Sequence, residues 1–167
     1  VFFGRNLEVG IDISPADLSA AARGHQYKRL YVEDARKLSF KNRSFSCVIS
    51  NSVLEHIPKV DLVIKEVYRV LRRQGYFIFT VPTSNFYMNL FYPALLEKVG
   101  LRRLAHQYYR LLNKVFRHVN LWPASTWLRL LSQSEFKIIT TQAHISPAAT
   151  RFFDLFLITA LPSQFGR

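Results

Sequence analysis

Residues 7–15 read LEVGIDISP, and the parsing of this stretch decides the fold. Residues 7–13 alternate weakly and are rich in β-branched side chains, the composition of a strand. Ser14 followed by Pro15 supplies an N-cap and a first helical residue, so a helix starts at once. A strand that feeds directly into a helix is half of a β-α-β unit. Asp12 then stands at the strand's carboxyl end, beside the helix start.

The same grammar repeats downstream. YKRLYVED (27–34) reads as a second strand and FSCVISN (45–51) as a third, its nearly continuous apolar run suiting burial on both faces. Val63, Val67, Val70 and Leu71 recur on one face of a helix that Gly75 is expected to terminate, and YFIFTVP (76–82) follows as a fourth strand. Strands alternating with helices predict an α/β fold, a mostly parallel sheet covered by helices on both faces. In such sheets ligands bind beyond the carboxyl ends of the strands. Asp12, Asp34, Asn51, Glu55, His56 and the turn after Val81 all fall at that edge.

Residues 83–120 break the alternation and read as one or two inserted helices rich in aromatic and basic residues. PASTWLRLLSQ (123–133) resumes a helix and FKIITTQAHI (136–145) a strand, while FFDLFLITALP (152–162) fits either a strand or a buried helix. No internal repeat or low-complexity linker separates these pieces, so residues 1–167 are expected to form a single domain carrying the insertion.

Composition narrows the class. With 49% hydrophobic and 20% charged residues, the chain has the makings of a packed core. The single Cys47 rules out an intramolecular disulfide and a cysteine-cluster metal site, and its apolar neighbours predict a packed core thiol. No apolar run approaches the roughly 18 residues of a membrane span, so a cytoplasmic protein is expected. The net charge of +12 implies attraction to something anionic. That charge is concentrated late: between Lys98 and Ser134 there is no acidic residue, against Lys98, Arg102, Arg103, Arg110, Lys114, Arg117 and Arg129.

Asp12 has two readings. It can accept hydrogen bonds from both hydroxyls of a ribose, as acids in dinucleotide-binding folds do, or it can help cap the following helix. Asp34, with Ala35 behind it, can read the edge of an adenine or be an ordinary polar loop residue. Two acids ending consecutive strands are more specific than either alone.

VGIDISPADLSAAAR and VEDARKLSFKNRSFSCVISNSVLEHIPKVDLVIKEVYRVLRRQGYFIFTVP resemble the class I S-adenosylmethionine-dependent methyltransferases of the small-molecule, type 11 group. The resemblance runs through residues 5–82 and, more loosely, 121–145. It implies a Rossmann-like fold and S-adenosylmethionine as cofactor. Asp12, with Ile13 beside it, would hold the ribose, Asp34 and Ala35 the adenine, and Asn51 and Ser52 the methionine moiety, while His56 would face the reaction site. The sequence departs from the pattern in places. The first strand and its glycine-rich loop have no counterpart, so Val1–Arg5 is expected to be the tail of a first β-α unit and the chain to bind cofactor weakly by itself. Ser46 stands where an acid is frequent, and only Gly75 remains of a glycine-rich turn.

The donor sulfonium is already activated, so such an enzyme contributes positioning and, where the acceptor needs it, proton removal. His56 is the expected general base, its ordinary pKa lying near neutral pH; a structural histidine is the alternative. SVLEH also resembles the Glu-x-x-Glu-His of metal-assisted ubiquinone-type methyltransferases, but Ser52 replaces the first acid. Glu55 and His56 alone do not make a metal site, and none is expected.

The expected acceptor is small or lipid-like. Nucleic acid is disfavoured because SNSVLEHIP lacks the Asn/Asp-Pro-Pro-aromatic motif of base-methylating enzymes. A nucleotide-dependent oxidoreductase and a non-catalytic remnant are the remaining alternatives. Over residues 83–120 a lid is expected above the cofactor pocket. Leu104, Tyr108, Leu111, Leu112 and Val115 share one helical face there, beside a stripe of Arg103, Arg110, Lys114 and Arg117. That helix either packs its apolar stripe on the domain or, with Phe86, Tyr87, Phe91 and Tyr92, touches an anionic membrane through residues 86–117.

Overall fold

The computed structural model describes residues 7–143, 145–151, 153 and 154. The expectation for Val1–Arg5 and most of that for 152–162 therefore lie outside the described residues; 153 and 154 themselves are helical. The chain divides into two compact units: residues up to Ile49 with Lys59–Ile78, and Ser50–Pro58 with the residues from Phe79 onward.

In the first unit, β1 (Leu7–Asp12) runs through Ser14 and Pro15 into α1 (Pro15–Ala22). Ser14 Oγ accepts the Asp17 N–H at 3.3 Å, the N-cap expected of that residue. The strand β2 (Tyr27–Val32) lies parallel to β1, pairing Leu7 with Tyr27 and Asp12 with Val32. Gly10 is required by this packing, since a Cβ there would lie 2.7 Å from side-chain atoms of both Leu30 and Tyr27. The next strand, β3 (Phe45–Asn51), pairs with β4 (Leu71–Thr80), and no ladder joins the two pairs among the described residues.

The helix α2 (Val60–Val70) buries Val60, Val63, Ile64, Val67 and Val70 along one face. Burying one such side chain contributes about 1.5–3 kcal/mol. On its other flank, Arg69 donates to the carbonyls of Leu38 (2.9 Å) and Phe40 (2.8 Å) and pairs with Glu66 at 2.7 Å, tying the loop before β3 to the helix.

Two expectations fail here. Gly75 does not end α2: the helix stops at Leu71, which turns extended (ψ 139°), and Gly75 lies inside β4. Its constraint is proximity, because a Cβ would come within 3.1 Å of the Ser46 carbonyl oxygen. Nor is β3 buried on both faces. Its residues are half-buried or exposed and none is buried, and Cys47 is exposed, not a packed core thiol. Burial of a strand depends on what covers each face, which an apolar run cannot specify.

The second unit is mainly helical: a short 3-10 turn (Leu54–His56), α3 (Ser84–Met88), α4 (Phe91–Lys98), α5 (Arg102–Phe116) and α6 (Ala124–Gln133). The insertion thus holds three helices, not one or two. Tyr87, Leu90 and Leu112 form its core, with Phe86, Tyr108, Tyr109, Phe116 and Leu121 packed around them. Buried Asp154 accepts the Tyr92 N–H at 2.9 Å and the Tyr108 hydroxyl at 2.5 Å, satisfying the first turn of α4. The Trp122 and Trp127 rings pack 5.0 Å apart, their planes tilted by 46°. The strand expected over 136–145 is absent from its described residues. Its β-branched residues favour extension, but a strand exists only where a neighbour supplies ladder hydrogen bonds, and residues 137–143 are exposed.

Candidate functional site

Parallel pairing brings the carboxyl ends of β1 and β2 to one edge of the first unit. Glu33 N–H donates to the Asp12 carbonyl at 3.0 Å, so the segment leading to Asp34 leaves the sheet beside Asp12. The Asp12 carboxylate accepts the Ser14 N–H through Oδ1 at 2.8 Å, forming the turn that aims α1. It therefore does contribute to the helix start, yet only one oxygen is committed. Ile13 is exposed beside it. A hollow of about 110 Å³ lined by Gly10, Asp12, Asp17, Leu18, Tyr27 and Leu30 adjoins this edge. It is smaller than the roughly 300 Å³ from which whole small-molecule pockets begin.

Asp34 is more committed than Asp12. Arg36 donates to it from its backbone N–H (2.9 Å), from Nε (3.0 Å) and from Nη2 (2.7 Å). These bonds hold the Asp34 carboxyl below its ordinary range, the Arg36 side-chain hydrogen bond contributing most. Arg36 Nε also reaches the second oxygen at 3.1 Å, so its four contacts engage the roughly four lone-pair positions of the carboxylate, and an adenine amino group would have to share or displace one of them.

The remaining candidates belong to the second unit. At the end of β3, Asn51 Oδ1 accepts the Thr80 hydroxyl at 2.5 Å, and the Ser52 N–H donates to the Thr80 carbonyl at 3.0 Å. Ser52 has φ 50°, a left-handed conformation uncommon outside glycine, and this turn starts the segment bearing Glu55 and His56.

His56 is 41% exposed and stands in a polar cluster. Its Nδ1 lies 3.2 Å from the Arg117 carbonyl, which can only accept, so in the neutral ring Nδ1 carries the proton and Nε2 the lone pair. Arg117 is itself left-handed (φ 53°), turning the chain at the end of α5 toward His118. The His118 ring sits 5.2 Å from that of His56, and its Nδ1 meets the Tyr87 hydroxyl at 3.0 Å. Burial, then the nearby His56, lowers the His118 pKa and favours the neutral ring. Burial raises the Tyr87 hydroxyl to about 12. Glu55 is 1% exposed and its carboxyl is raised by desolvation. Its Oε1 lies 3.6 Å from His56 Nε2, and its Oε2 has no hydrogen-bond partner.

Sequence reasoning missed His118 and Asn120. The Asn120 amide donates to the carbonyls of Leu54 (2.8 Å) and Ile57 (2.7 Å), while the backbone N–H groups of Val119 and Asn120 both donate to the Glu55 carbonyl. Four hydrogen bonds thus clamp the segment after α5 onto the turn bearing Glu55 and His56. Nothing in the spacing signals this, because four helices and a strand separate the two segments.

The face of α5 is also shifted from its expected position. Ala105 and Leu112 are buried, whereas Leu104 (47%) and Leu111 (51%) are exposed beside exposed Arg103, Arg110 and Lys114. Leu95, Val99 and Leu101 extend the exposed apolar set.

A methyltransferase-domain family model matches residues 3–79. An uncharacterised protein of Methanocaldococcus jannaschii is 40% identical over 77 residues, 46% of this chain and 30% of that protein. A fatty-acid O-methyltransferase of Mycolicibacterium smegmatis is 33% identical over 73 residues, 42% of this chain and 27% of that protein. The matches thus span under a third of each curated relative. A solved S-adenosylmethionine-dependent methyltransferase of Methanosarcina mazei superposes with a TM-score of 0.58 at 19% identity, over 79% of this chain and 70% of that one, which shows the shared fold.

Proposed function

We propose that this chain, whose residues 3–79 match a methyltransferase-domain family model and whose fold is that of a solved S-adenosylmethionine-dependent methyltransferase, transfers a methyl group from S-adenosylmethionine to a small or lipid-like acceptor. One observation carries the reading: Asp12 and Asp34 leave adjacent parallel strands at the same edge. Asp12, with Ile13, takes the ribose hydroxyls through the carboxylate oxygen that the Ser14 turn leaves open. Asp34 and Ala35 read the adenine, Arg36 keeping the Asp34 carboxylate charged and oriented. Asn51 and Ser52 contact the methionine moiety.

The reaction is an in-line displacement. A lone pair on the acceptor forms the new bond to the methyl carbon, the carbon–sulfur bond breaks, and its electron pair stays on sulfur as a neutral thioether. If the acceptor atom carries a proton, the His56 Nε2 lone pair receives it. The fatty-acid relative and the exposed leucines of α4 and α5 favour an apolar acceptor. Arg103, Arg110 and Lys114 beside those leucines suit contact with an anionic membrane surface. No helix among the described residues is long and apolar enough to cross a membrane.

Calorimetric titration of S-adenosylmethionine into the protein tests this. Asp12→Asn retains an acceptor for the Ser14 N–H but removes the charge, and is expected to weaken binding by about 1–2 kcal/mol. His56→Ala is expected to lower turnover with cofactor affinity kept. Equal affinity of wild type and Asp12→Asn would reduce Asp12 to a turn residue and remove the reading.

A further inference from the structure

We propose that Glu55, His56 and His118 form a binding site for one divalent transition-metal cation, of the zinc class. One ligand atom from each residue lies within 4.8 Å of the other two. Tetrahedral ligands about 2.0–2.1 Å from zinc stand about 3.4 Å apart. The Glu55 Oε1 to His56 Nε2 separation, 3.6 Å, is already close to that, and modest side-chain rotation closes the rest.

Three independent features point to a cation. Glu55 Oε2 is buried without a hydrogen-bond partner, a costly arrangement that a metal would resolve. Both imidazoles are held through Nδ1, His56 by the Arg117 carbonyl and His118 by the Tyr87 hydroxyl, leaving both Nε2 atoms for the cation. Ligating histidines are oriented by such partners on the other ring nitrogen. Finally, the backbone carrying the ligands is fixed beforehand, because Asn120 and the 119–120 amides lock the two segments together.

Two imidazoles and one carboxylate select zinc, iron or nickel over magnesium or calcium, which prefer oxygen. Three protein ligands leave a coordination position open, and the half-exposed His56 provides the route in. The third ligand is not the acid that Ser52 replaces in the chain; it arrives from the far end of α5. With the cation bound, His56 serves as a ligand and not as a free base. The site would take His56 from the base role given to it above, and its test is separate from the methyl-transfer reading because metal binding is measured without cofactor or acceptor.

The experiment is equilibrium dialysis of the full chain against Zn²⁺, with bound metal counted by mass spectrometry. One equivalent is expected, and Glu55→Gln and His118→Gln are each expected to weaken binding at least tenfold. Zn²⁺ should also raise the melting temperature of wild type and leave these variants unmoved. Should a variant fail to fold, Co²⁺-loaded wild type gives an independent answer: two paramagnetically shifted imidazole N–H proton resonances are expected, from His56 and His118. Binding that persists unchanged in both variants, no binding at 100-fold excess of Zn²⁺, or fewer than two shifted resonances would overturn the proposal.

Discussion

Replacing Asn120 with Ala removes a side chain that is 4% exposed and whose amide supplies both hydrogen bonds from α5's far end to the carbonyls of Leu54 and Ile57. Each neutral hydrogen bond contributes about 1 kcal/mol net, and a buried carbonyl left unpaired costs about 1–3 kcal/mol. Leu54 O still receives the Ile57 N–H, at a long 3.4 Å, so the larger loss falls on Ile57 O. The expected destabilisation is about 2–4 kcal/mol. Trp122 and Trp127, the only two tryptophans of the chain, both lie in this unit, so urea unfolding followed by tryptophan fluorescence reports on the right part of the molecule. With an m-value of about 2 kcal/mol/M the midpoint falls by roughly 1–2 M. Asn120→Asp sharpens the test. A carboxylate only accepts and cannot donate to either carbonyl, so the folded state favours its protonated form and its pKa there is raised. The added penalty is absent below about pH 4, the unfolded pKa of an aspartate, and grows as pH rises above it. A loss under about 0.5 kcal/mol for Asn120→Ala, or a pH trend of the opposite sign for Asn120→Asp, would refute the clamp.

Two further outcomes follow from charges elsewhere. Glu66 is held below its ordinary pKa first by the Arg69 side-chain hydrogen bond, so its stabilising contribution is complete above about pH 4.5 and is lost as pH falls through the lowered folded value. Urea midpoints between pH 3 and 6 should therefore drop more steeply for wild type than for Glu66→Gln, and equal slopes would show that the pair contributes nothing. Co-sedimentation with anionic phospholipid vesicles should be salt-sensitive and should disappear when Arg103, Arg110, Lys114 and Arg117 become Gln; each exposed cation near such a surface is worth about 1 kcal/mol. Binding indifferent to lipid charge would leave α5 a packed helix with solvated charges.

Much of the first unit was legible from local pattern. The step from β1 through Ser14 and Pro15 into α1 is chemistry within nine residues, and α2 was readable because one helical face repeats its valines. Asp12 and Asp34 could be placed at strand ends because a parallel β-α-β path has few alternatives. The misjudged features share a cause. The exposure of Cys47, the missing ladder over 136–143 and the rotated buried face of α5 each depend on which neighbour covers an apolar surface. Gly75 was assigned to a helix end by residue type, whereas its constraint is the close approach of the Arg72 and Ser46 carbonyl oxygens, 3.0 and 3.1 Å from where a Cβ would stand.

The sequence by itself determined the alternation of elements, the carboxylates at the strand ends and the family resemblance over the first half of the chain, because periodicity, capping and motif spacing are encoded within a few residues of one another. Only the tertiary structure brought His118 and Asn120 to Glu55 and His56. That meeting depends on the left-handed turn at Arg117 and on how α3, α4 and α5 pack around Tyr87 and Leu112, and contacts across so long a stretch of chain leave no trace in local spacing.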